Sequence, residues 1–250
     1  MVNLADTHCH IDLYHDPKAV IAETEANHIY TIAVTNTPSV YPHMQVLCNN
    51  LRYIRPAVGL HPELAAARHK ELPQMWQFLS STRYVGEVGL DYTTDDLAER
   101  DLQLRVFEQI LVHCAEYGDK ILTIHSRRAA SDVVSAIGEN YPGTIILHWY
   151  SGSMKELNRA IRYGYHFSVN FSMLKSEKGR KLVAKMPWER VVTETDGPFI
   201  TISKGPSRPV HISRTIEALA DLWKISVADT RERVFDNFRA LLDRASPESS

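Results

Sequence analysis

Tyr84-Val85-Gly86-Glu87-Val88-Gly89-Leu90 is a short apolar run, and beyond a polar interval Leu102, Val106, Ile110 and Cys114 recur every four residues before Lys120-Ile121-Leu122-Thr123-Ile124-His125 returns to strand character. A near-continuous apolar run fits a strand covered on both faces. Phe107 and Leu111 widen the helical stripe and Gly118 offers a C-cap, so the helix between the two runs covers a sheet. Strand, helix, strand is the unit of a parallel sheet. The same alternation extends both ways, with strands expected at Leu4–Ile11, Tyr30–Thr35, Arg55–Leu60, Tyr84–Leu90, Lys120–His125, Thr144–Trp149, Tyr165–Asn170 and Arg190–Thr195. Asp16-Pro17 and Thr37-Pro38 are N-cap signals, and Ser153 with Glu156 has capping-box spacing. Two further helices are expected at His211–Trp223 and Val227–Arg244. Eight such repeats predict an α/β fold of the (β/α)8 TIM-barrel type, with residues 1–245 as one domain and 246–250 as a disordered polar tail.

With 250 residues, 44% hydrophobic and 23% charged, the composition is that of an ordinary globular protein. Twenty-eight basic against thirty acidic residues leave a net charge of -2, so any polyanion must be held by a local patch. Cys9, Cys48 and Cys114 are odd in number and widely spaced, which fits a reducing compartment and no disulfide framework. No apolar run approaches a membrane span and no signal peptide fits before Asp6, so the expectation is a cytoplasmic protein without membrane contact.

Chemistry concentrates where the strands end, the usual place for catalysis in a barrel. His8 and His10 are two apart and so share one side of an extended strand. Taken alone, that pair reads equally well as a metal site or as incidental histidines. His61 ends the third strand, Glu87 lies in the fourth, His125 and His148 end the fifth and sixth, and Asp196 follows the eighth. So many polar groups on one face of an apolar barrel need a shared charged partner. Imidazole with carboxylate is the ligand set of a divalent-metal hydrolase, with room for two ions that share a carboxylate.

The strings Asp6-Thr7-His8-Cys9-His10, Gly59-Leu60-His61-Pro62, Gly86-Glu87-Val88-Gly89-Leu90-Asp91, Ile124-His125-Ser126-Arg127, His148-Trp149-Tyr150-Ser151-Gly152-Ser153 and Glu194-Thr195-Asp196-Gly197-Pro198 resemble the TatD family of metal-dependent deoxyribonucleases. The likeness runs in order from residue 6 to Arg239, where Asn237-Phe238-Arg239 resembles the family's C-terminal asparagine. It implies that His8, His10, Glu87 and Asp196 hold one ion, and that Glu87 bridges to a second held by His125 and His148. His61 would face the scissile phosphate, with Asp196 acting on the attacking water. The opening His8-Cys9-His10-Ile11-Asp12-Leu13-Tyr14-His15-Asp16-Pro17 resembles the TatD-like nuclease component of Qat anti-phage systems, which implies companion defence proteins. Three stretches depart from the family: Phe199 to Pro209, the acidic Tyr92-Thr93-Thr94-Asp95-Asp96, and Trp149-Tyr150 in place of Cys-Phe.

The expected activity is hydrolysis of DNA, single-stranded or at frayed ends and from the 3′ end, by a hydroxide bridging two divalent ions, whether zinc, manganese or magnesium. Catalytic roles fall to Asp196, His61 and Glu87. Arg127, Lys178 and Arg180, with Lys175, Lys181 and Lys185, are candidate phosphate contacts, and each reads equally well as part of a solvated surface. Ser151, Gly152 and Ser153 precede a helix whose amides could hold a phosphate, and Trp149 or Tyr150 could stack on a base. Strand-end ligands do not name a substrate, so a lactonase or small-molecule amidohydrolase, and a D-aminoacyl-tRNA deacylase, remain alternatives. A non-enzymatic subunit is the third class, and the complete ligand set counts against it.

Overall fold

Eight strands alternate with helices: β1 (Leu4–Cys9), β2 (Ile29–Val34), β3 (Ile54–Ala57), β4 (Tyr84–Gly89), β5 (Ile121–His125), β6 (Thr144–His148), β7 (His166–Val169) and β8 (Val191–Thr193). The computed structural model describes residues 4–244, so the tail expected at 246–250 lies outside the described residues. Strands β1 to β3 and β4 to β8 pair in sequence order, all in parallel. Two seams close the ring. At one, Val58 bridges Val85 and the Gly86 amide donates to the Val58 carbonyl at 2.9 Å. At the other, Thr193 Oγ1 donates to the Ala5 carbonyl at 2.6 Å and the Thr195 amide to Asp6 Oδ1 at 2.9 Å. The result is the (β/α)8 barrel that the alternation predicts.

The N-caps follow the sequence with one exception, while the helix Leu97–Ala115 is capped at Glu116, two residues before the Gly118 expected there. Asp16 accepts from the Ala19 amide at 3.0 Å at the start of the helix Pro17–Ala26, and Ser153 accepts from the Glu156 amide at 3.2 Å before Met154–Arg162. Thr37-Pro38 does not begin a helix. The Val40 amide closes a turn onto the Thr37 carbonyl at 3.2 Å, and the helix starts only at Tyr41. After β8 the chain adds a small hairpin, Thr201–Ile202 with Gly205–Pro206, which sequence periodicity does not reveal.

Between sheet and helices lies the larger apolar layer, which includes Val106, Phe107, Ile110, Leu111 and Cys114 of the helix Leu97–Ala115. Inside the barrel, Ile32, Val34, Tyr84, Ile121, Ile146 and Val192 pack with Phe238 and Leu241 of the final helix, Val227–Arg244. That helix plugs the floor. The three cysteines are free and buried. Among the described residues, no helix is long and apolar enough to cross a membrane.

Two interruptions of the strand register decide which side chains reach the interior. In β1 the pairing shifts between Asp6 and Cys9, so Ala5 packs in the floor cluster while His8, of opposite parity, also faces inward. In β4 the shift falls between Val85 and Val88 and brings Tyr84 and Glu87 to the same side. Strict alternation would have sent Glu87 outward with Val85. Gly86 makes room for this slip: a Cβ there would lie 2.1 Å from Thr123 Cγ2.

Phe238 is 2% exposed and packs 4.9 Å from the Tyr30 ring. Phe238→Ala is expected to cost about 3–5 kcal/mol by denaturant titration, as for other buried aromatic truncations. A loss below about 1 kcal/mol would show that the helix does not plug the floor.

Candidate metal centre and active site

Glu87 stands at the centre of the barrel mouth, and its two oxygens face different partners. Oε2 lies 3.2 Å from His10 Nε2, 3.5 Å from His8 Nε2 and 3.6 Å from His61 Nε2. Oε1 lies 2.6 Å from His125 Nδ1 and 3.4 Å from His148 Nε2. Asp196 completes the first set, its Oδ1 3.8 Å from His8 Nε2 and 3.7 Å from His10 Nε2. All six residues that the sequence reading assigns as ligands therefore converge, three of them in the set His8, His10 and Asp196 and two flanking Glu87 Oε1.

These donors suit a divalent cation. With metal–ligand bonds of about 2.0–2.1 Å, donors round one tetrahedral ion sit about 3.4 Å apart. The His8 and His10 Nε2 atoms are 3.2 Å apart, and their distances to Glu87 and Asp196 span 3.2–3.8 Å. Facing imidazole nitrogens can share one proton as an N–H···N hydrogen bond, but a cation between them would engage both lone pairs. The His10 Nδ1 atom is buried without a hydrogen-bond partner.

Each remaining imidazole is oriented from behind. His8 Nδ1 meets the Thr123 hydroxyl at 2.7 Å, His148 Nδ1 donates to Glu194 Oε2 at 2.9 Å, and His125 Nε2 lies 2.7 Å from Asp91 Oδ2. Burial opposes charge on His125 and His148, yet Glu87 and Asp91 raise the first to about 9, and Glu194 raises the second to about 10. At His8 and His61 burial outweighs the pull of Glu87 and pushes them down to about 3 and about 4. Burial alone would raise the Glu87 carboxyl, but His61, His8 and His125 outweigh it and hold it well below the usual range. Burial raises Asp196 to about 7, and its backbone sits at φ 46 with its amide donating to the His8 carbonyl at 2.9 Å.

Above these groups opens a cavity of about 480 Å³ lined also by Arg127, Ser151, Trp149 and Phe199. Other expected substrate contacts are placed elsewhere. Gly152, Ser153 and Lys178 line an adjoining groove, where Lys178 Nζ donates to the Ser151 carbonyl at 2.7 Å. Arg180 is turned away from the mouth, paired with Asp221 at 2.9 Å, because the helix Ile212–Trp223 supplies an acid that the local sequence does not show. Lys181 pairs with Glu177 at 2.6 Å, and Lys175 lies over the Phe171 ring. Tyr150 is buried against Phe167 and is packing rather than a stacking platform.

Sequence reasoning passed over Glu194, Asp91, Thr123, Ser168 and Asn170. A signal was present for four of them: Glu194 shares parity with Asp196 and Thr123 with His125, while Ser168 and Asn170 form the inward face of the end of β7.

A family model described as TatD related DNase matches residues 5–243. Deoxyribonuclease Tat-D of Schizosaccharomyces pombe is 32% identical over 244 residues, covering 79% of this chain and 78% of that protein. YjjV of Escherichia coli, described as an uncharacterized metal-dependent hydrolase, is 27% identical over 254 residues, covering 95% of this chain and 97% of its own. The crystal structure of YjjV, a TatD homolog from Escherichia coli K12, has a TM-score of 0.87 at 25% identity and 98% coverage of both chains.

Because His125 and His148 titrate at about 9 and about 10, they carry protons at pH 7 that a cation must displace. Calorimetry in buffers of different ionisation enthalpy is expected to show proton release on Zn²⁺ binding at pH 7. Affinity should rise as pH climbs towards about 9. Zn²⁺ at a hundredfold excess over Kd should add about 2.7 kcal/mol of stability, reversed by chelation and absent in Glu87→Gln. Binding without proton release, or an undiminished shift in Glu87→Gln, would contradict this centre.

Proposed function

Since the chain belongs to the TatD-related DNase family, we propose that it cuts phosphodiester bonds of DNA at single-stranded or frayed ends, working from the 3′ terminus. The observation that carries this is the convergence of three overlapping donor groups, His8 with Glu87 and His148, His8 with His10 and Asp196, and His61 with Glu87 and His125, at the bottom of the cavity. Divalent ions, when bound, neutralise charge on the phosphate and acidify the attacking water. His8, His10, Glu87, Asp196, His125 and His148 are the groups that would hold them.

The protein's own residues supply the rest. Asp196, beside His8 and His10 just beyond the eighth strand, is placed to take the water's proton and return it to the leaving oxygen. His61 accepts the Glu63 amide at Nδ1 over 3.3 Å, which leaves its proton on Nε2. Burial keeps that ring neutral, and with the proton on Nε2 it would donate to a phosphate oxygen.

Depth favours a single strand. The side chains of the proposed ligands are at most 14% exposed, so the scissile phosphate must descend into the barrel. A rigid duplex carries its phosphates on the outside of a wide rod, whereas a free strand can thread a nucleotide-sized cavity. Arg127 at the rim and Lys178 in the adjoining groove would hold the neighbouring phosphates, an attraction that weakens with salt. Work beside companion proteins of an anti-phage system extends the same proposal and rests on the resemblance of the first strand and its following loop.

Purified protein with Mn²⁺, Mg²⁺ or Zn²⁺ is expected to shorten 5′-labelled single-stranded DNA stepwise, to act weakly on blunt duplex, and to lose at least about a hundredfold in Asp196→Asn. Equal inactivity of wild type and variant on DNA, alongside turnover of a lactone or a D-aminoacyl-tRNA, would overturn the nuclease assignment.

A further inference from the structure

The two ends of the Glu87 carboxylate are backed by different chemistry. On the Oε1 side, His148 Nδ1 donates to Glu194 at 2.9 Å and His125 Nε2 lies 2.7 Å from Asp91. On the Oε2 side, His8 has only the neutral Thr123 hydroxyl behind it, and His10 Nδ1 has no hydrogen-bond partner.

Glu194 is fully buried. Its remaining contacts are neutral donors: the Ser168 hydroxyl on Oε2, and the Asn170 amide on Oε1 at 2.8 Å. Asn170 is itself fixed, its Oδ1 accepting from the Met173 amide at 3.0 Å. A carboxylate removed from water needs nearby positive charge, and the imidazole that touches this one is His148. Accepting the Nδ1 proton fixes the tautomer, turns the Nε2 lone pair towards Glu87 Oε1 and makes the imidazole a stronger donor. Asp91 stands in the same relation to His125 through the opposite nitrogen, leaving Nδ1 towards Glu87 Oε1.

We infer that Glu194 and Asp91 are positioning residues for the imidazoles of His148 and His125, so that the two oxygens of Glu87 serve two inequivalent ion sites, only one of which depends on carboxylate backing. This rests on the two-ion arrangement proposed above. Glu194 lies fully buried behind His148, whereas Asp91 also forms part of the cavity wall; both act on the ions through the histidines in front of them. A merely structural tie between β6, β7 and β8 would lower stability without distinguishing one ion from the other.

The test is a titration of metal-free protein with Zn²⁺ against a chelating dye, resolving two binding steps, with circular dichroism and metal-free Tm recorded in parallel. Glu194→Gln and Asp91→Asn are expected to weaken one and the same step by about 10- to 100-fold and to leave the other within about threefold. Thr123→Val should weaken the opposite step. Should Glu194→Gln not fold, Asp91→Asn and Ser168→Ala carry the same test, since each disturbs the backing with little change to the core. Equal weakening of both steps, or a fall in Tm with both affinities retained, would overturn the inference. A wild type that binds one ion with an unaltered Kd in all variants would overturn it too. A wild type that takes up no ion removes the two-ion arrangement itself, a separate failure visible before any variant is made.

Discussion

The ionised Glu87 carboxylate, buried at the barrel mouth among five imidazoles, is the constraint on which the rest of the site depends. Its position follows from one extra residue in β4, which turns it inward where strict alternation would turn it out. The second slip, in β1, brings His8 and His10 to meet it. Both slips make sense as devices that trade regular pairing for a convergent set of donors.

Without a cation the centre is electrostatically unsettled. Neutral His8 and His61 sit beside protonated His125 and His148, and Asp6 and Asp196, both buried, titrate near 7. Burying such groups is costly unless charge is balanced. The floor plugged by Phe238 and Leu241 and the apolar layer beneath the helices supply the cohesion that tolerates this cost. Asp6 ties the centre to the barrel wall, since it joins β1 to the chain after β8 through Thr195.

Alternating strand and helix signals made the barrel legible, and ligand-type residues recurring at strand ends pointed to the mouth. Strand positions came out within a few residues because each run is bounded by caps or polar breaks. The place of Glu87 in the site was expected from the polar cluster and the resemblance, but the slip that turns it inward was not legible, because a bulge leaves no pattern in the residues themselves. Nor was the fate of Arg180, whose partner Asp221 lies 41 positions away on another helix. Glu194 was half-visible: its parity with Asp196 placed it inside, but only the fold shows His148 in front of it. Resemblance assigned His61 a phosphate-facing role, and its hydrogen bond from the Glu63 amide gives that role a tautomer.

Anomalous diffraction from crystals grown with Mn²⁺ or Zn²⁺ tests the account most directly. Two peaks are expected, one against each oxygen of Glu87, the first contacted by His8, His10 and Asp196 and the second by His125 and His148. No peak within bonding distance of Glu87, or ions held only by groups elsewhere on the barrel, would contradict it.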